Sequence, residues 1–324
     1  VKIGFDMKLL QKYATRSKVL GLNLLYLVLF ILMFVAFLVF KYAMPSLLVG
    51  GQSNPIKYNY TFKLKEPVEF DTSIFKNVYA ETEEQCKKSF PIGVPDLERI
   101  EEEFNALCFD NYVSLFDIDR KNTLVSGMVL NKDKLKQKMD FKPSNTLKPF
   151  DFSDKQLITT ANSFGYPIGQ FLPSMYFTDK TGNDDSLYTT NIGPMHQVLA
   201  SGVWKQLDYS IAKTLLDSGA HDFYIISGSA YVSPDSKSAD NLGVLRNGVN
   251  VPTHYYKIIV EPLSGKSAAY LFPNTQNATG HFKRFLIPQQ KLEEIIKVKF
   301  FKQMDSKLRK KLRDESGSLN QYLK

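Results

Sequence analysis

"VPTHYYKIIVEPLSGKSAAYLFPNTQ", residues Val251 to Gln276, holds two runs rich in β-branched and aromatic side chains, "THYYKIIVEP" and "SAAYLFP". Leu263-Ser264-Gly265-Lys266 lies between them, so the pair reads as two strands joined by a hairpin-type connection. Just upstream, "DFYIISGSAY" (Asp222–Tyr231) reads as another strand with a glycine turn. A helix is predicted before that, from Gln197 to Asp217. Leu199, Val203, Leu207, Ile211 and Leu215 are spaced four apart, Trp204 flanks the stripe, and Gly219 supplies a stop. Pro288 opens a second helix, "PQQKLEEIIKVKFF". Helices interspersed with antiparallel-type strands predict an α+β fold.

The chain has 324 residues, 44% hydrophobic and 23% charged, which is enough for a substantial core. Two cysteines exclude a disulfide-built scaffold; Cys86 and Cys108 form either one bridge or two separate thiols. The net charge of +8 suits nucleic acid, an anionic membrane surface or an acidic partner protein. The first residue is Val rather than Met, which predicts that something preceding it was removed.

"VLGLNLLYLVLFILMFVAFLVF" (Val19–Phe40) is 22 residues without a charge. A helix of that length spans roughly 33 Å, enough for a hydrocarbon core of ~30 Å. One N-terminal transmembrane helix is therefore expected over 19–40. Residues 1–18 carry five basic residues and one acid, and Lys8, Lys12 and Arg16 share one helical face. This segment suits a basic amphipathic helix resting on anionic phospholipid. Only Lys41 follows the span before Lys57, so the positive-inside rule leaves the N-terminus in the matrix or cytosol and the main domain across the membrane. Residues 41–87 read as a linker, 88–302 as the main domain and 303–324 as a basic C-terminal tail, either a solvated helix or a docking element for a partner or lipid. Asn59-Tyr60-Thr61 and Asn277-Ala278-Thr279 are glycosylation sequons if the compartment is secretory.

From residue 88 to 302 the chain resembles the DNA/RNA non-specific endonucleases, the group containing mitochondrial endonuclease G. "VPTHYYKIIV" is similar to that family's V-P-T-H-[FY]-[FY]-K strand, which places His254 in a structural strand. "YLFPNTQ" is similar to its apolar-Pro-Asn turn, here Pro273 and Asn274. "FLIPQQKLEEIIKVKFF" resembles its closing helix, and "YIISGSAY" resembles its [VI]-x-[TS]-G-P-x-[YF] strand, with Gly228. "FPIGVP" (Phe90–Pro95) and "YVSLFDIDRKN" (Tyr112–Asn122) resemble its opening segments. The resemblance implies a ββα-metal (His-Me finger) fold, with a central antiparallel sheet flanked by helices.

It also implies a chemistry. Family members use the histidine of D-R-G-H-L-x-P-A as general base and an Asn of N-x-x-P-Q-x-x-x-x-N-x-x-x-W-x-x-x-E to hold Mg²⁺. A neutral imidazole takes a proton near pH 7, and Mg²⁺ needs few direct ligands because it keeps most of its waters. The first motif falls on "PIGQFLPS" (Pro167–Ser174), where Gly169 and Pro173 survive but the base position is Gln170. An amide has no useful basicity. In the second, Asn191, Pro194 and Trp204 match, the metal-binding position is Ala200 and the Glu position is Asp208. A methyl group cannot ligate Mg²⁺.

Residues that shape the fold persist while those that do the chemistry are gone. The expectation is a pseudoenzyme without metal or cofactor: a membrane-anchored accessory subunit of a mitochondrial inner-membrane complex of the respiratory chain, its partners being membrane protein subunits. The alternatives are a residual Mg²⁺-dependent nuclease using His196 or Asp208, and a metal-free nucleic-acid-binding module. "SFGYPIGQFLPSMYF" (Ser163–Phe177) has no charge, unlike a phosphate groove, and an apolar groove would receive a partner chain or lipid tail instead.

Overall fold

Period-two burial runs along the central strands and decides the architecture, because neighbouring residues of one strand enter opposite cores. On the strand His254–Glu261, Tyr255 and Ile259 join one core, whereas Tyr256, Ile258 and Val260 join another. Both faces of the sheet are therefore covered. The computed structural model describes residues 77–79, 86, 89–90, 93, 95, 104–137, 142–143, 151–152, 155–156, 166–233, 240–302, 304–314 and 316–324.

In chain order the strands and helices are β1 (Asn77–Tyr79), β2 (Phe104–Cys108), β3 (Val113–Asp117), β4 (Asn122–Asn131) and α1 (Lys132–Leu135). Then come β5 (Asp151–Phe152), β6 (Lys155–Gln156), β7 (Ile168–Gln170), α2 (Lys180–Asp185), β8 (Ile192–Pro194), α3 (Gln197–Ser201) and α4 (Val203–Asp217). They are followed by β9 (Asp222–Ala230), β10 (Asn241–Val244), β11 (Asn250–Pro252), β12 (His254–Glu261), β13 (Lys266–Pro273), β14 (Leu286–Ile287), α5 (Gln289–Ile296) and α6 (Ser306–Asp314). The main sheet runs β1-β2-β3-β4-β9-β12-β13-β14. Every pairing in it is antiparallel except β1 with β2. The predicted hairpin is present as β12 and β13, with His254 opposite Pro273 and Glu261 opposite Lys266.

One face of the sheet carries α3 and α4, the other α5 and α6. The expected stripe Leu199, Val203, Leu207, Ile211 and Leu215 is buried on the first face. The helix is not continuous, however: Gly202 divides it with φ −98° and ψ −115°. Gly228 lies inside β9 rather than at a turn. A Cβ there would stand 2.0 Å from the Leu124 carbonyl oxygen and 2.5 Å from the Tyr256 hydroxyl, so close strand approach explains the glycine. The second predicted helix stops at Ile296, where Lys297 adopts the left-handed conformation at φ 57°.

Two expected boundaries shift. β1 and Cys86 fall within the expected linker 41–87, yet β1 extends the sheet and Cys86 is buried and disulfide-bonded to Cys108. At the other end, Leu312, Leu319 and Leu323 are fully buried, and the Ser267 carbonyl accepts from the Gly317 and Leu319 amides at 2.8 and 3.0 Å. The expected tail thus covers the β13 side of the sheet. Among the described residues no helix is long and apolar enough to cross a membrane. The predicted span 19–40 and the basic segment 1–18 lie outside the described residues.

Candidate functional site

β7 and β8 pair antiparallel, with Gly169 opposite Gly193 and Gln170 opposite Ile192, and lead into α3 and α4. This is the ββα unit that the two motifs predict. Asn191 holds it together from inside. Its side-chain oxygen accepts the Leu172 amide at 3.1 Å, and its nitrogen donates to the Leu172 and Ser186 carbonyls at 2.8 Å each. Asn274 does the same from the turn after β13: it accepts the His196 amide at 2.6 Å and donates to the carbonyls of Pro194 at 3.0 Å and Pro252 at 2.9 Å. Both side chains are fully buried with their polar atoms satisfied. Pro173 precedes the single helical turn Ser174–Tyr176.

Gln170 sits at the base position with both ends of its amide engaged. Nε2 donates to the Ser186 carbonyl at 3.2 Å, and Oε1 accepts the Ser174 amide at 3.1 Å. The Trp204 indole donates to the Gln170 carbonyl at 3.0 Å. Met195 packs where the motif has Gln: a Cβ on Gly169 would stand 2.0 Å from its sulfur. Ala200 is partly buried against the core.

Asp208 points into the protein, 3% exposed, and its Oδ1 pairs with the ammonium of fully buried Lys257. The Tyr176 hydroxyl donates to the same carboxylate at 3.2 Å, and the Lys257 nitrogen stands 4.2 Å from the Trp204 ring centre. Burial raises the Asp208 carboxyl above its usual range, opposed by the Lys257 charge. Burial lowers the Lys257 ammonium, opposed by Asp208. The spacing of the motif did not reveal this pair. Its signal was one charge inside each of two apolar patterns, "HYYKIIV" and the α4 stripe.

The histidines do not converge on Gln170. His196 caps α3, its Nδ1 accepting the Val198 amide at 3.2 Å. His254, on β12, is half-buried with Nδ1 3.1 Å from the Thr253 hydroxyl, and burial lowers its pKa. His281 accepts the Lys283 amide at 3.3 Å, and His221 lies between Asp133 and Asp222 at 3.2 and 3.1 Å.

The residues present do not fit the Mg²⁺ that the fold implies. The metal wants hard oxygen donors. Ala200 offers none, the Gln170 oxygen is bonded to Ser174, and Asp208 is committed to Lys257. Among the described residues no group of three or more His, Cys, Asp or Glu could hold a metal ion. Within the uncharged segment, Phe171, Leu172, Tyr176 and Phe177 are at most 4% exposed and belong to the core, while Pro173, Ser174 and Met175 are partly exposed. Those four side chains are therefore not available to a partner chain or a lipid tail.

With a ββα unit set on an antiparallel sheet, the architecture is that of a nuclease domain. The sequence profile of the DNA/RNA non-specific endonucleases matches residues 100–307, and the chain belongs to that family. The human mitochondrial endonuclease G is 28% identical over 119 residues, 34% of this chain and 39% of that protein. The match thus spans about two fifths of the human protein's length. The crystal structure of the EndoG/EndoGI complex contains a chain of similar fold, with a TM-score of 0.59 and 22% identity, over 71% of this chain and 96% of that one.

Proposed function

We propose that this chain is a catalytically inactive member of its family, kept as a membrane-anchored structural subunit of a larger assembly. The observation that carries the proposal is the engagement of the chemical positions. Gln170 bonds Ser186 and Ser174, Asp208 pairs with Lys257, and Ala200 has only a methyl group. A nuclease needs a base free to take a proton from water and a metal to stabilise charge on phosphate. Neither role has an available group at these positions. The residual-nuclease reading is disfavoured because His196 caps a helix and Asp208 is buried. The metal-free nucleic-acid reading is disfavoured because the segment Tyr166–Phe177 carries no charge to meet phosphate.

The apolar run Val19–Phe40 supports the anchor, and the basic residues before it support a main domain across the membrane from the N-terminus. The Cys86–Cys108 bridge supports an oxidising compartment for that domain. With a mitochondrial relative, the reading is an inner-membrane protein facing the intermembrane space, an accessory subunit of a respiratory-chain complex. Asn277 is exposed, so the compartment has a direct check: a glycan on it contradicts the mitochondrial placement. The assembly is tested by purifying the native full chain in mild detergent. Co-purification with a stable set of membrane subunits is expected, and recovery of monomer alone contradicts it.

A further inference from the structure

We propose that the layer formed by residues 297–302 and α6 is a docking face for anionic phospholipid headgroups. Nine cations and four acids lie between Gln289 and Asp314. Lys297 and Lys299 are exposed while Val298 and Phe300 between and after them are buried, so packing fixes the lysines outward. On α6, Leu312 faces the core and Lys307 and Lys310 face solvent. These segments form one layer with α5. Glu293 accepts the Phe300 amide at 3.2 Å and pairs with Arg313 at 2.5 Å, and Arg309 donates to the Lys302 carbonyl at 2.9 Å. Of the exposed acids in the layer, Glu294 is paired with Lys291; the others are Asp305 and Asp314. Among the described residues the ammonium groups of Lys297, Lys299, Lys307 and Lys310 have no acidic partner.

The layer covers the opposite side of the sheet from the ββα unit. Val298, Phe300 and Leu312 pack with Ile258 and Val260, whereas Phe171 and Trp204 pack with Tyr255 and Ile259. These lysines therefore do not belong to a nuclease groove. Four outward ammonium groups on one layer suit the phosphates of an anionic bilayer, and each lysine near such a surface adds roughly fivefold to partitioning. The choice of lipid over nucleic acid rests on the anchored reading above, because an anchor makes the second contact intramolecular.

The test reconstitutes the full chain in nanodiscs of phosphatidylcholine alone or with phosphatidylserine, and follows amine labelling of the four lysines by mass spectrometry. Lys205, exposed on α4, is the reference. Labelling of the four should slow at least about tenfold in the anionic discs, recover at high salt, and leave Lys205 unchanged. Lys299→Glu/Lys310→Glu should abolish the protection while the chain still co-purifies with the discs. Equal labelling in both discs, or protection only by added nucleic acid, overturns the docking face. Failure to enter phosphatidylcholine discs overturns the anchor instead. Docking is then read from flotation of the full chain with anionic vesicles, supported if the double variant abolishes flotation and overturned if wild type does not float.

Discussion

The indole of Trp204 donates to the backbone carbonyl of Gln170 at 3.0 Å, and the ammonium of Lys257 stands 4.2 Å from the centre of the same ring. One side chain thus joins the backbone at Gln170 to a buried ion pair. The backbone path of the motif is held from below by Trp204 and from within by Asn191, with no part left to an imidazole or a metal. Because the indole bonds the backbone carbonyl, the same tryptophan can hold the same loop whichever residue occupies position 170.

The Lys257–Asp208 pair is the most sensitive point of that support. Lys257→Met leaves a carboxylate buried without its counter-charge, which costs about 3–5 kcal/mol. Lys257→Met with Asp208→Leu should recover most of that loss. Urea unfolding of the single and double variants measures the coupling. Equal destabilisation by both would show that the pair is not the relevant interaction.

Two glycines separate rigid from yielding contacts. Gly228→Ala drives a methyl against the Leu124 backbone oxygen, whereas Gly169→Ala meets the flexible end of Met195. We expect a loss of about 3 kcal/mol or more for the first and about 1 kcal/mol for the second. Thermal unfolding followed by circular dichroism ranks them, and the reverse order would contradict the packing described.

Cys86 and Cys108 are 22 residues apart in sequence, and their bridge ties the segment before β2 to the sheet. By loop entropy, Cys86→Ser/Cys108→Ser should lower stability by about 3 kcal/mol. Reducing agent should destabilise the wild type by a similar amount and leave the double variant unaffected.

Two histidines should titrate on opposite sides of their ordinary value of 6.5. The hydrogen bond that His221 donates to Asp222, and then the Asp222 charge, raise His221, with Asp133 adding to them, while burial lowers His254. The His221 contribution to stability is therefore present below 6.5 and lost as pH rises through its folded pKa. That of His254 is present above 6.5 and lost as pH falls through its folded pKa. NMR titration of the ring protons reads both, and Asp222→Asn should bring His221 back down. A His221 that titrates below His254 would rule out the arrangement around it.

Much of this was legible in the sequence because it is local. The β12–β13 hairpin follows from two alternating runs about a glycine, and the α4 stripe from its spacing. The paired strands around Gln170 and the helix that carries Ala200 lie in the order the motifs predict. The partner of Asp208 was not found, because pairing a helix charge with a strand charge 49 residues away depends on tertiary packing. β1 was missed because three residues carry no periodic signal. Gly228 was misread as a turn because glycine also marks close strand approach. The burial of Phe171, Leu172, Tyr176 and Phe177 was not legible, because absence of charge describes a core as well as a surface.

A chain whose base and metal positions are occupied as proposed should not cut nucleic acid. The decisive assay incubates the full chain at high concentration with Mg²⁺ and supercoiled plasmid or RNA. We predict no cleavage above a protein-free control across neutral pH. Mg²⁺-dependent nicking that co-purifies with the chain and disappears in His196→Ala would contradict it.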